Sequence, residues 1–248
     1  MRKLIYVELI KLRYYRVIWG VVLFAMGMSA ATALSGKYRG IVERMPETEY
    51  MLFFPVLCRT FAILAILSTA YAINEDFSMR TVQNVLSVGV DVGKYYLSRL
   101  FSQMLFVSVL YLAGFAVFVA TRIVSRGEVN RALPFGSLMG IFFMMALQLM
   151  AYVAIANAVS MFFRNQAAAM AAGELWLFLA IIFDGFRASG ARLMAFMEYE
   201  PLMVMQRVEF WGMPGRFFAL GLKYALSAAV IGVAAAAVGY VRFRRAGV

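Results

Sequence analysis

Long apolar runs separated by short polar intervals dominate the chain, and six of them reach spanning length: 17–34, 52–73, 100–121, 133–159, 167–184 and 217–241. A helix needs about 20 mostly apolar residues to cross about 30 Å of hydrocarbon. The runs are continuous rather than alternating, which predicts helices and not the short period-two strands of a barrel. The pattern therefore predicts an all-α membrane protein, one domain over 1–248 with six spans. Ahead of the first run, residues 1–16 mix Leu, Ile, Val and Tyr with Arg2, Lys3, Glu8, Lys11, Arg13 and Arg16. This segment is too polar to span and suits a helix lying at the inner interface, anchored by snorkelling bases because its charges do not share one face. The longest polar connection, 185–216, predicts short outer helices broken at Pro201 and at Met213-Pro214-Gly215.

Composition sharpens this picture. Of the 248 residues 64% are hydrophobic and 15% charged, with a mean hydropathy of +0.79, too apolar for a water-facing surface. The net charge of +11 usually raises nucleic acid as a partner. Here the bases flank apolar runs, where they meet anionic headgroups, so membrane lipid is the partner and nucleic acid is not. A lone Cys58 and no histidine exclude an intrachain disulfide, cysteine-rich metal sites and imidazole-ligated haem or zinc, and no metal site is predicted. The first run lacks a small-x-small cleavage site and reads as a retained anchor. Arg2, Lys3, Lys11, Arg13 and Arg16 at one end, and Arg242, Arg244 and Arg245 at the other, place both termini in the cytoplasm of a multi-pass plasma-membrane protein. The loop bases are nearly even between the two sides, so the termini carry this orientation.

The informative interval is the cytoplasmic loop after the second run. Asn74 is placed to cap a short helix with Glu75 and Asp76 at its positive end, and Asp76 reaches Arg80 at i,i+4. Met79, Val82 and Leu86 fall on one side of that helix, beside Phe77, as a small apolar knob. Such a knob either meets a partner or lies against its own bundle and the headgroups. Gly89 to Gly93 predicts a turn, with Asp91 capping the helix that leads through Lys94 and Arg99 into the third span.

Polar residues inside the spans are costly and so worth weighing. Glu174 in the fifth span, with Gln148 and Asn157 in the fourth, are candidates for a polar path; Arg59 and Lys223, near outer ends, read as snorkelling residues. Small residues at helix-packing spacing, Gly136 with Gly140, Ala168 with Ala172 and Ala169 with Gly173, favour packing within the chain over a dimer face. Phe142, Phe143, Met144 and Met145 offer an adaptable greasy surface that equally suits lipid contact or gap filling. No nucleophile–base or paired acidic constellation assembles, which argues against a membrane enzyme. An ATP-independent secondary transporter is the other alternative, and its inverted repeat and paired broken spans are not visible.

As an ensemble the chain resembles the type-2 class of ABC transporter permeases, six-span subunits of exporters. The resemblance rests on Glu8-x-x-Lys11 in a basic leading segment, a first span after it, the acidic end of the second span at Glu75 and Asp76, and Arg80-Thr81. It continues with a turn, Lys94-Tyr95-Tyr96, and Arg99 entering the third span. Similar permeases often carry a proline in the turn, where this chain has Ser87-Val88-Gly89-Val90. The resemblance implies that Phe77, Met79, Arg80, Val82 and Leu86 belong to a coupling helix that docks on a separate ABC ATPase subunit, where ATP and magnesium are bound. It also implies that residues 1–16 form a connecting helix, that two permeases pair, and that the second and fifth spans line the path of a peptide, antibiotic or other amphipathic cargo. The chain itself binds no cofactor on this reading: Gly89-Val90-Asp91-Val92-Gly93-Lys94-Tyr95 is one residue short of a phosphate-binding loop and lacks its hydroxyl.

Overall fold

The computed structural model describes residues 2–35, 46–126, 135–163, 165–188 and 217–245, with Tyr199, Pro201 and Val204. Among the described residues there are helices and turns and no strand. The helices are α1 (Arg2–Tyr14), α2 (Arg16–Ser35), α3 (Pro46–Ser78), α4 (Thr81–Ser87), α5 (Val92–Arg126), α6 (Phe135–Phe163), α7 (Gln166–Ala188) and α8 (Phe217–Arg245). Four stretches among them are long and apolar enough to cross a membrane: Arg16–Leu34, Val92–Thr121, Phe142–Phe163 and Gly221–Arg245; Gln166–Ala180 is a shorter apolar helix. The expected polar connection starts four residues later than predicted, because α7 runs on to Ala188; residues 189–198, 200, 202–203 and 205–216, where outer helices are expected, lie outside the described residues.

The bundle is organised around α6, which packs on α3, α5, α7 and α8. Leu149, Tyr152, Val153 and Ala154 in its middle are buried on all sides. Close approach depends on residues with little or no side chain. A Cβ added at Gly239 of α8 would lie 3.1 Å from the Ala158 Cα of α6, and one at Gly173 of α7 would run into Ile66 of α3. The spacing Ala169–Gly173 thus serves packing within the chain. Serine hydroxyls in the apolar interior satisfy themselves locally: Ser29, Ser102 and Ser160 donate to carbonyls three or four residues back. The outer faces carry exposed Leu23, Phe24, Val109, Leu112, Phe143 and Val230, as expected where the solvent is hydrocarbon. Phe142 turns inward instead and stacks on Tyr111 at 5.0 Å. Lys223 is exposed, with its ammonium 4.8 Å from the Tyr199 ring centroid.

Two helices overrun their predicted spans. At 1.5 Å per residue the 33 residues of α3 reach about 50 Å and the 35 of α5 about 52 Å, well beyond the hydrocarbon thickness. Their polar ends project from the apolar bundle and carry α4 between them. The expected start of a new helix at Asn74 is accordingly overturned. Asn74 is a buried interior residue of α3 whose Nδ2 donates to the Ala70 carbonyl at 2.9 Å. The helix ends four residues later, where Arg80 takes a left-handed conformation (φ 55°) and its amide returns to the Phe77 carbonyl at 3.2 Å.

Candidate functional site

At the projecting ends of α3 and α5, against α1, four charged side chains gather into one buried cluster. Glu8 and Lys11 sit one turn apart on α1, with Lys11 Nζ 2.9 Å from Glu8 Oε1. This pair explains a leading helix of poor amphipathic character: Leu12 and Glu8 face the protein, while Tyr6, Val7, Ile10 and Tyr14 stay exposed. Arg99, on the second turn of α5, pairs directly with Asp76 of α3 and lies 3.8 Å from Glu8 Oε2; Lys11 is 3.7 Å from Asp76 Oδ2. The side chains of Arg99 and Asp76 are each only 2% exposed. Two carboxylates and two cations make the cluster neutral, the condition under which buried charge is tolerated.

Hydroxyls complete the coordination. Tyr95 Oη accepts from Arg99 Nη1 at 3.0 Å and donates to Asp76 Oδ2 at 3.3 Å, while Tyr15, between α1 and α2, donates to Asp76 Oδ1 at 3.1 Å. Arg99 Nη2 donates to the Ala72 carbonyl of α3. Burial pushes the Tyr15 phenol above its ordinary pKa, with Arg99 pulling the other way, so Tyr15 remains a proton donor to Asp76 at neutral pH. Asp76 is therefore bound to Arg99, Lys11, Tyr15 and Tyr95. The expected i,i+4 pairing with Arg80 is corrected: Arg80 is exposed past the end of α3, and the left-handed turn breaks the helical register that pairing needs.

The cluster is roofed by aromatics. Tyr95 stacks on Phe243 of the last turn of α8 (6.0 Å, 24° between planes), Phe77 meets the same ring edge-on at 6.4 Å, and Tyr96 Oη donates to the Ala236 carbonyl at 2.8 Å. The ends of α3, α5 and α8 are thus held together beside the ionic cluster.

Below it hangs α4. Its amino end is closed by Asn84 N donating to the Arg80 carbonyl at 3.1 Å; its carboxyl end by Gly89 N to the Leu86 carbonyl at 3.0 Å, with Gly89 at φ +88°. Asp91 caps α5 as predicted, Oδ1 accepting from Lys94 N at 2.9 Å. The predicted single apolar knob divides in two. Val82 is 2% exposed and Leu86, with Val85 and Phe77, packs on the main core, whereas Met79 is 66% exposed. The cause is the turn at Arg80, which sets Met79 off the axis of α4. Met79, Arg80, Gln83, Asn84, Ser87 and Val88 form the outward face. Beside it a cavity of about 710 Å³ with mixed polar and apolar walls lies between Asn74, Phe77 and Gln83 on one side and Asn165, Gln166 and Met170 on the other.

The three polar span residues are not brought to one surface. Gln148 and Asn157 are nine residues apart on α6, two and a half turns, and so face opposite sides. Gln148 is buried and donates Nε2 to the Tyr224 carbonyl of α8 at 3.1 Å. Asn157 is fully buried with neither side-chain polar atom partnered, and Glu174 of α7 has an unpartnered Oε1. Tyr15 was not singled out from sequence, and neither was the gathering of Glu8, Lys11, Asp76, Tyr95 and Arg99 into one site. The available signal was the i,i+3 pair on α1 and the i,i+4 pair Tyr95–Arg99 just before an apolar run.

A family model described as ABC-2 family transporter protein matches residues 4–182, which takes in α1 to α6 and most of α7 and so includes all four charges of the cluster. Against individual curated proteins the sequence finds no match. The matched residues cover most of the chain, and the chain belongs to the ABC-2 transporter family.

Proposed function

We propose that the chain is the six-span membrane subunit of an ABC exporter, with both termini cytoplasmic, and that α4 takes the stroke of a separate ATPase that binds ATP and magnesium. One observation carries the reading. A short helix is rooted in the bundle by Val82 on one face, presents Met79, Arg80, Gln83 and Asn84 on the other, and hangs from two helices joined by a buried ionic cluster. Burial of Val82 contributes about 1.5–3 kcal/mol, enough to keep α4 from folding away independently. A push on the exposed face then moves α1, α3 and α5 together, because separating them strands charge in a buried site. Two such subunits pair, and an amphipathic cargo crosses along a face that includes Glu174, with its unpartnered Oε1; Asn157, buried in this structure, joins that face when the spans repack during transport.

The test exploits the divided knob. Met79→Asp, at an exposed position, leaves the fold within about 0.5 kcal/mol of wild type and abolishes co-purification of the ATPase or stimulation of its hydrolysis. Val82→Asp damages the fold as well. Undiminished ATPase capture and stimulation with Met79→Asp overturns the coupling assignment.

A further inference from the structure

A second cavity, of about 600 Å³, opens between α5, α6 and α8; it shares Tyr96 with the aromatic roof but none of the four charges of the ion cluster and no residue of α4. Its walls are apolar: Leu97, Phe101 and Met104 from α5 face Val233, Ala237 and Tyr240 from α8. Gly232 and Ala236 are small residues of the α8 wall, and at Gly232 α8 lies close on α6, a Cβ there falling 3.6 Å from the Ala151 Cα. Along α5 the lining runs from Gly93 to Met104, about 16 Å of helix, close to the depth of one leaflet.

One end of the groove is basic. Gly93 and Tyr240 mark that end, a Cβ at Gly93 lying 3.6 Å from Tyr240 Oη. Lys94 follows Gly93 and sits one turn before Leu97 on α5, and Arg244 sits one turn beyond Tyr240 on α8, so each stands in register with a lining face at that end of the groove. Both are exposed, and among the described residues neither is in an ion pair. Asp91 is the acid nearest Gly93, and its carboxylate already accepts the Lys94 amide. Arg245 follows Arg244 in the last turn of α8, while Arg242 lies over the Phe162 ring at 5.6 Å.

We infer that this groove holds an acyl chain of an anionic phospholipid, with the phosphate met by Lys94 and Arg244. An apolar slot one leaflet deep with two free cations at its mouth matches that ligand in length and charge. A second copy of the chain is disfavoured as occupant, because pairing about an axis along the membrane normal would bring the same cations of both copies face to face at one depth. The inference uses neither α4 nor the ion cluster, and stands apart from the coupling reading.

The experiment is native mass spectrometry of the purified full chain, titrated with dioleoyl-phosphatidylglycerol or dioleoyl-phosphatidylcholine. Wild type retains the anionic lipid preferentially. In Lys94→Gln with Arg244→Gln that preference falls by about fivefold per cation, about 25-fold in all, while the zwitterionic lipid is unaffected. Ala237→Phe, at an exposed position inside the groove, displaces both lipids; Val233→Phe replaces it if that variant does not run as a single species. An unchanged preference in the double glutamine variant overturns the inference. So does a groove-filling variant that keeps its lipid but turns a dimer into a monomer, which would give the groove to a second copy.

Discussion

Replacing Arg99 by methionine removes the cation at the centre of the cluster while preserving most of its volume. Arg99 stands 3.8 Å from Glu8 and in direct contact with Asp76. At an effective dielectric constant near 20, opposite unit charges 4 Å apart interact by about 4 kcal/mol. Stranding one partner of a buried pair typically costs about 3–5 kcal/mol, a similar figure reached independently. Lys11 remains, 3.7 Å from Asp76 and 2.9 Å from Glu8, but it is already the closest partner of Glu8 and is more exposed than Arg99. Arg99→Met is therefore expected to lower stability by about 3 kcal/mol, toward the low end of that range.

The second step is diagnostic. Removing the acid as well, in Asp76→Leu with Arg99→Met, takes both charges from the site and leaves the Glu8–Lys11 pair balanced. With Asp76→Leu alone also costing about 3 kcal/mol, the double variant should recover to within about 1–2 kcal/mol of wild type, a coupling energy of about 4–5 kcal/mol. Reversible unfolding in mixed micelles, followed by the fluorescence of the three tryptophans, reads these differences. The loss should also be insensitive to salt, since buried pairs are screened little. A loss below about 1 kcal/mol for Arg99→Met, as for an exposed ion pair, or a double variant no better than the single, would refute the argument that the cluster holds α1, α3 and α5 together.

Two further substitutions separate packing from transport. Gly239→Ala forces a methyl to within 3.1 Å of the α6 backbone at Ala158 and against the Tyr96 hydroxyl, and should cost about 1–3 kcal/mol in the same unfolding measurement; a neutral result would mean that α8 shifts freely on α6. Asn157→Leu replaces a buried amide whose polar atoms have no partner, so the fold should be unchanged or more stable. A simultaneous fall in cargo movement into inverted vesicles would mark Asn157 as a path residue, and undiminished movement would remove it from the path.

Much of the helical layout was legible because hydrocarbon imposes a strict length and composition on whatever crosses it. The charges at 74–80 were misread for a physical reason. Asn, Glu and Asp at the end of an apolar run resemble a helix start, and local rules assign Asp76 the nearest base at i,i+4. What overrides them is tertiary. Asp76 takes hydrogen bonds from Tyr15, 61 residues away, and Tyr95, 19 away, and is neutralised by Arg99 and Lys11, so the helix can run on through Asp76 to Ser78. Burial of Val82 is likewise tertiary, since it belongs to a core assembled from residues far along the chain. A sequence window sees an amphipathic segment and cannot say which face the bundle claims. The division of that segment into a rooted Val82 and an outward Met79 is set by one left-handed residue, Arg80, in a place where glycine is the usual choice. Arg80→Gly should therefore ease the turn and leave Val82 seated, so that any loss of ATPase capture in that variant reports the missing guanidinium rather than a displaced helix.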